Sequence, residues 1–483
     1  MFHRATQHGH SARIALALAM AAIVSACAVG PSYERPAVSG PDAFVASDQA
    51  QFRSGEVERE FWKAFDDPQL TALIEEALEA NHDIRIALAR LREARALRGE
   101  ARLDFAPTVT EQAAHVESRA SERSVPAGSG FARDQDYYET SFDAWWELDF
   151  FGRVRRGVEA ASAEVQAAEA DVYSTQVSIT AEVARNYFEL RGAQARLEVA
   201  QRNAQNQQES VRLTTARLEA GRGTQLDVSR AQAQLSATLG SIPDLEAQIT
   251  SATLRLAVLA GREPQSLMTQ LAAHEDLPAL PRTVNIGTPE MLLRRRPDIV
   301  AAERQLAAST ARIGVAVADL FPRITFVGRW GFDAVDSSDL GNSASETYAF
   351  GPSIQWAAFD LGRVRQRIKQ REAAADAALA RYEQAVLRAL EETDASLTSY
   401  AKALVKQEHL RASAEASLQA ASLARVRFEN GATDFLTVLD AERSALQAED
   451  ALAQSRTQTA TALLAMYKAL GGGFRPLSQT AAR

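Results

Sequence analysis

Apolar and polar residues alternate in several short stretches of the chain. Phe142 and Asp143, for example, belong to opposite sides of such a stretch. Alternation with a period of two predicts strands with one apolar and one polar face. The stretches are residues 137–150, 323–334 and 348–356, with a poorer match at 107–118. We therefore predict two β-hairpins, at about 107–150 and 322–360.

Long tracts of strong helix formers follow each predicted hairpin. Ala, Leu, Arg, Glu and Gln dominate them, and they predict helix pairs at about 154–260 and 364–470. Gly221 and Gly431 interrupt the tracts, as helix ends and turns do. A helix of about 65 residues spans roughly 100 Å. A heptad seam runs through Leu390, Leu397 and Leu404, with Val386 and Tyr400 in register.

The two halves of the chain match each other. The segment DFFGRVRRG from Asp149 recurs as FDLGRVRQR from Phe359, offset by 210 residues. Asn81 and Arg296 open a second matching pair of segments, offset by 215 residues. The extra five residues fall in the first hairpin, so its loop is predicted to be longer. Two tandem copies of one unit are therefore predicted.

The start of the chain has the pattern of a secretory signal peptide. Arg4 and Arg13 precede an apolar run that is too short to span a membrane. The only cysteine, Cys27, follows the small residues Ser25 and Ala26, which is the arrangement of a lipobox. We predict that the signal is cleaved there and that Cys27 carries acyl chains. Ala28 follows where an inner-membrane lipoprotein commonly has Asp, so the predicted location is the outer membrane.

Composition excludes several other functions. The net charge is −9, without a basic tract that would indicate nucleic acid binding. The seven histidines show no paired metal-ligand spacing, and no catalytic or nucleotide-binding fingerprint occurs in a suitable context. We predict no enzymatic activity, no metal and no cofactor other than the covalent lipid on Cys27.

Four strands cannot close into a membrane barrel, because single-chain barrels begin at eight strands. If the alternating strands face lipid, several copies of the chain must share one barrel. The open alternatives are a soluble sandwich, in which the apolar face forms a core, and a structural coiled coil that conducts nothing.

Several motifs resemble the outer-membrane factors of the TolC and OprM type, in the NodT lipoprotein branch. They are CAVGPSYERP from Cys27, FWKAFDDPQL from Phe61, RRRPDIVAAERQLAASTARIG from Arg294, and FENGATDFLTVLDAER from Phe428. The resemblance implies an α+β membrane channel: a homotrimeric twelve-stranded β-barrel with four strands per chain, a long α-helical periplasmic barrel and a mixed equatorial domain.

The predicted domains follow from the repeats and this resemblance. They are the signal peptide (1–26), a lipidated extended segment (27–60), a first repeat with a leading helix (61–270), a linker (271–290), a second repeat with a leading helix (291–470) and a tail (471–483).

The resemblance also implies a gate at the periplasmic tip. Leu436 and Asp440 match the apolar and acidic rings of relatives, and their spacing of four places both on one helical face. Thr437 is uncharged, so one acidic ring is expected. In the first half, Leu226 matches Leu436, but Arg230 matches Asp440. Leu226, Arg230, Gly221 and Gly431 are the candidate tip contacts.

The function implied is that of an exit duct in a tripartite efflux pump. Such a duct passively conducts small molecules, drugs or other toxic compounds, and its partners are a periplasmic adaptor, an inner-membrane RND-type transporter and outer-membrane lipid. Two alternatives remain: a channel for protein or polysaccharide secretion, and a non-conducting structural lipoprotein of the envelope.

Overall fold

The structure is a computed structural model that describes residues 28–37, 40–121, 123 and 132–477. The elements, in chain order, are β1 (Phe52–Arg53), α1 (Pro68–Ala80), α2 (His82–Leu103), β2 (Thr108–Arg119), β3 (Asp134–Glu147), α3 (Arg153–Glu219), α4 (Gln225–Leu259), β4 (Val284–Asn285), α5 (Pro289–Arg295), α6 (Pro297–Ala318), β5 (Arg323–Ala334), β6 (Glu346–Gln355), α7 (Leu361–Glu429) and α8 (Phe435–Ala469). A 3₁₀ turn, Phe61–Phe65, precedes α1.

The two predicted hairpins form one antiparallel sheet of four strands. Its order is β2-β3-β5-β6, so the hairpins join through their inner strands β3 and β5. Phe142 pairs with Trp330, and Trp146 pairs with Phe326, so the apolar faces of the two hairpins are continuous. These four side chains are 37–48% exposed in the single chain. The backbone edges of β2 and β6 have no partner strand among the described residues.

The chain divides into two compact units. One contains the four-stranded sheet with residues 90–168 and 301–382, and the other contains residues 169–300 and 383–483 together with 38–89. Within the described residues, none of the helices is both long and apolar enough to cross a membrane.

The long helices end by one shared device. After α3, Gly221 adopts a φ of +69°, and the amide of Arg222 donates to the carbonyl oxygen of Arg217 at 2.8 Å. This is a Schellman ending, which requires a left-handed residue that glycine adopts at little cost. Gly261, Gly431 and Gly471 end the other three long helices in the same way.

The second unit has an aromatic and aliphatic core. Phe61 stacks on Tyr467 with 4.7 Å between ring centroids, and Trp62 is fully buried beside it. Leu397 and Tyr400 of the predicted heptad seam are buried in the same core, and Leu390 packs against it. The seam of α7 therefore packs within its own chain.

Each predicted leading helix is two helices. In the first half the break falls at Asn81, which is extended with a ψ of 134° and caps α2 by accepting from the amide of Asp83 at 2.8 Å. In the second half it falls at Arg296, because the residue before Pro297 is sterically driven out of the helical region. Each half therefore has two helices before its first strand of the four-stranded sheet.

A short parallel pairing joins two segments that were expected to be extended or linking. Phe52 pairs with Val284, and Arg53 pairs with Asn285. Phe52 is buried and tilts against Tyr400 at 6.3 Å. Part of the 27–60 segment and part of the 271–290 linker are thus ordered against the core.

Candidate functional site

The two helix-to-helix turns, residues 220–224 and 430–434, form the ends of the long helix pairs. Gly431 has a φ of +73°, and its amide donates to the carbonyl oxygen of Phe428 at 2.9 Å. A Cβ atom built on Gly221 or Gly431 meets no other atom within 4 Å. Backbone conformation, not crowding, therefore requires glycine there, and both turns are open to contact.

The helices that start after these turns are capped by different residues. Thr224 forms a capping box with Asp227 at the start of α4. Asp434 caps α8, accepting from the hydroxyl of Thr437 at 2.6 Å and from its amide at 3.0 Å. These two hydrogen bonds, with a smaller effect from the positive charge of Arg230, hold the pKa of Asp434 below its usual value.

The side chains at the start of α8 are either buried against the neighbouring helices or exposed to solvent. Phe435 and Val438 are buried, and the ring of Phe435 lies 5.5 Å from that of Phe428 on α7. Leu436 is 48% exposed, one residue further on. The buried pair therefore fixes the rotation of α8 and turns Leu436 outward.

Leu436 and Asp440 lie on one side of α8, as the spacing of four predicts. Both line the same groove between α7 and α8, together with Arg427. Asp440 is exposed and accepts a hydrogen bond from Arg443 of its own helix at 2.6 Å. An apolar and an acidic side chain, one turn apart, are thus presented outward.

The first half presents its tip residues differently. Leu226 is 57% exposed, so it is as open as its counterpart Leu436. Arg230 is close enough to Asp434 to act on its pKa. Arg230 therefore interacts by its charge with Asp434, the capping residue of α8. Among the described residues, no contact joins Arg230 to Asp440.

A short segment near the start of the described chain is strapped onto α3 and α6. We call residues 28–35 the strap. The amide of Val29 donates to the carbonyl oxygen of Phe151 at 3.1 Å. The buried Arg156 of α3 donates to the carbonyl oxygens of Val29 and Gly30, both at 3.3 Å. Cys27 lies outside the described residues.

The far end of the strap is held by a buried carboxylate. Tyr33 donates its hydroxyl hydrogen to Glu303 of α6 at 2.9 Å, and Arg35 lies 3.5 Å from the same carboxylate. Burial raises the pKa of Tyr33 well above the ordinary value, and the hydrogen bond to Glu303 and the negative charge of Glu303 raise it further. The strap is therefore fixed at both ends.

Comparison with known proteins identifies the family. The sequence profile of the outer membrane efflux protein family matches residues 73–262 and 288–472, once in each half. The chain belongs to the outer membrane efflux protein family.

Individual relatives extend the match over nearly the whole chain. Nodulation protein T of Rhizobium leguminosarum bv. trifolii is 30% identical over 463 residues, which cover 95% of this chain and 97% of that protein. Outer membrane protein OprJ of Pseudomonas aeruginosa is 31% identical over 459 residues, covering 95% of each. The solved outer-membrane channel OprN superposes with a TM-score of 0.86 at 46% identity, over 92% of this chain and 99% of that one.

These matches confirm the predicted family and the predicted fold class, a trimeric outer-membrane channel of two tandem repeats with four strands per chain. They also confirm the outer-membrane location and the role in efflux that the sequence indicated. Within the part of the chain that the structure describes, no cluster of three acidic, histidine or cysteine side chains could hold a metal ion.

One polar contact in this efflux protein was not foreseen from the sequence. Glu442 of α8 is 8% exposed, forms an ion pair with Arg425 of α7, and accepts from the hydroxyl of Ser210 on α3 at 3.3 Å. Gln232 and Thr215 occupy the equivalent positions of the first repeat. Comparing the two repeats position by position would have singled out the pair Glu442 and Arg425.

Proposed function

We propose that this chain, as a homotrimer, forms the outer-membrane exit duct of a tripartite efflux pump. It passively conducts small molecules that an inner-membrane RND-type transporter and a periplasmic adaptor deliver. It catalyses no reaction. The sheet of four strands with two open edges carries this proposal, because backbone groups at a sheet edge have no partner in lipid. Three copies in a ring close those edges and enclose a water-filled lumen.

The tip residues supply a gate in this proposal. Three copies of Leu436 and Asp440 meet around the threefold axis, with the apolar ring and the acidic ring one helical turn apart. Like charges brought together repel one another and attract cations. Closure therefore requires the packing of α8 against α7 to hold the carboxylates near the axis, and Phe435 anchors that packing.

The anchor in this proposal is the acylated Cys27. Each buried methylene contributes about 0.8 kcal/mol, so two or more acyl chains attach a protein stably to a membrane. The strap begins one residue later, and it holds this end of the chain beside Phe151, just after β3.

Conductance across a planar bilayer tests the duct. The purified trimer is expected to give unitary current steps that are small in the resting state and larger for Asp440→Ala, because the shorter side chain leaves a wider aperture. A preparation that inserts as a trimer but carries no current in either form would favour a structural envelope lipoprotein. This measurement separates a conducting from a non-conducting protein.

Crosslinking at the tips identifies the partner. Arg222→Cys and Ala432→Cys place a thiol next to each glycine turn, while Cys27 is blocked by acylation in this proposal. Capture of an adaptor that serves an RND-type transporter supports drug or solvent efflux. Capture of components of a protein or polysaccharide exporter would favour the secretion channel.

A further inference from the structure

Trp145 is a large aromatic residue on the polar face of the sheet, which also carries Tyr137 toward the other end of β3. The β3–β5 pairing runs from Tyr138 to Glu147 without a bulge, so alternation is unbroken. Trp145 therefore shares its face with Asp143 and Glu147, opposite to the face of Trp146. It is 43% exposed.

Trp145 is part of a row that crosses the whole sheet. It pairs with Thr108 on β2 and with Val327 on β5, and Val327 pairs with Gly351 on β6. Val327 is 39% exposed, and a Cβ atom built on Gly351 meets no atom within 4 Å. Neighbouring strands lie about 4.8 Å apart, so the step from Trp145 to Gly351 is about 10 Å wide. The row leaves an open apolar floor of about the width of a fused aromatic ring system.

The position of this floor keeps it free in the assembled channel. β3 and β5 are the two central strands, and neighbouring copies can pair only with β2 and β6. A sister chain therefore adds strands beside the row without covering Trp145 or Val327.

The same face carries an excess of negative charge. Along the described strands it holds four acidic residues and two basic ones: Glu139, Asp143, Glu147 and Asp333, with Arg323 and Arg329. Glu147 is buried and pairs with Arg153 of α3, so the net charge of the face with Arg153 included is −1 per chain. The carboxylate of Asp143 lies two residues from Trp145. A solute that passes along this face therefore contacts the ring of Trp145 close to the carboxylate of Asp143.

We propose that Trp145, with Val327 and Gly351, is a stacking site in the lumen for aromatic organic cations. The proposal rests on the duct function and names the solute chemistry that the duct favours. An indole ring attracts a cation through its face and stacks with flat rings, and both effects are strongest for a solute that has both features. The acidic surrounding raises the local concentration of such cations and lowers that of aromatic anions.

Blocking of single-channel current tests the site. Tetraphenylphosphonium, an aromatic cation, is added to the reconstituted full-length trimer, and its residence time is read from the interruptions of the current. Trp145→Ala is expected to shorten the residence time about five-fold, the scale of one exposed cation–aromatic contact. Trp145→Phe keeps a ring and is expected to retain most of the blocking. Tetraphenylborate, of similar shape and opposite charge, is expected to block less in the wild type.

The matched control is Trp330→Leu, which removes an indole from the opposite face of the same sheet. It is expected to leave the residence time unchanged in channels that insert. Equal blocking by wild type and Trp145→Ala would overturn the stacking site while the duct stands, since current still flows. Equal blocking by the cation and the anion would overturn the charge preference. A trimer that carries no current at all would instead overturn the duct.

Discussion

Arg296 donates a hydrogen bond from Nη1 to the carbonyl oxygen of Ala469 at 3.0 Å. In the other half, Asn81 donates from Nδ2 to the carbonyl oxygen of Leu259 at 2.9 Å. Asn81 and Arg296 are equivalent in the internal duplication, and both accepting carbonyls lie at the end of a returning helix. Each repeat therefore ties the break in its leading helices to the last turn of its returning helix, with a different side chain.

Replacing Arg296 with Ala is expected to destabilise the protein by about 2–3 kcal/mol. Its side chain is 10% exposed and also bridges the carboxylates of Asp298 and Glu392, each at 2.8 Å. Burial alone would lower the pKa of Arg296, but the hydrogen bonds and charges of these two carboxylates raise it above the usual value. The thermal midpoint of the detergent-solubilised protein measures the loss.

Arg294→Ala is the control for this substitution. Arg294 is 70% exposed and pairs only one turn back with Glu290, so its removal is expected to cost about 0.5 kcal/mol or less. Equal losses for the two variants would show that the tie to the returning helix contributes nothing.

Gly30→Ala is expected to release the strap. Gly30 has a φ of +89°, and a Cβ atom there would lie 2.5 Å from the Cα atom of Gly314. The backbone strain and the clash together are worth about 1–3 kcal/mol. Cleavage after Glu34 by a glutamate-specific protease is expected to become faster. Gly362→Ala is the control, because a Cβ atom built there meets no other atom within 4 Å. Equal cleavage rates for the wild type, Gly30→Ala and Gly362→Ala would rule out a docked strap.

The start of α8 is expected to loosen in acid. Because the pKa of Asp434 is lower in the folded protein, its capping contributes stability above the unfolded pKa of about 3.9. That contribution is lost as the pH falls through the folded pKa. Hydrogen exchange of the amide of Thr437, corrected for its intrinsic rate, is expected to lose protection as the pH falls below about 4. Asp434→Asn keeps a cap without titrating there, and an identical loss in that variant would exclude Asp434 as the cause.

Asp440→Asn is expected to lower the resting conductance for cations with no change of side-chain shape. The substitution removes three like charges from the proposed ring, and with them both the repulsion that opposes closure and the attraction for cations. Glu415→Gln makes the same acid-to-amide change at a 70% exposed side chain of α7, away from the tip, and is the control for the conductance. Raised or unchanged current in Asp440→Asn channels would remove Asp440 from the gate.

Periodicity predicted the regular elements well, because strands and long helices are local patterns. α3 runs from Arg153 to Glu219, where the sequence predicted a helix over 154–220. The poorly alternating residues 107–118 nevertheless form β2. Pairing with β3 over twelve residues determines that strand, and such a partner is not visible in its own sequence.

Contacts between distant residues were the part that the sequence did not reveal. The pairing of β1 with β4 joins residues more than 200 positions apart, and each strand has two residues. From its position on an amphipathic helix, Glu442 would be predicted to be an exposed charge. In the structure it contacts Arg425 and Ser210, which lie on two other helices. Side chains at the tip followed their spacing more closely, because Leu436 and Asp440 belong to one helix.

The mass of the acylated, detergent-solubilised protein tests the central claim most directly. The open edges of β2 and β6 require sister copies, so native mass spectrometry is expected to give three chains per particle. A stable monomer that keeps the four-stranded sheet in detergent would contradict the claim.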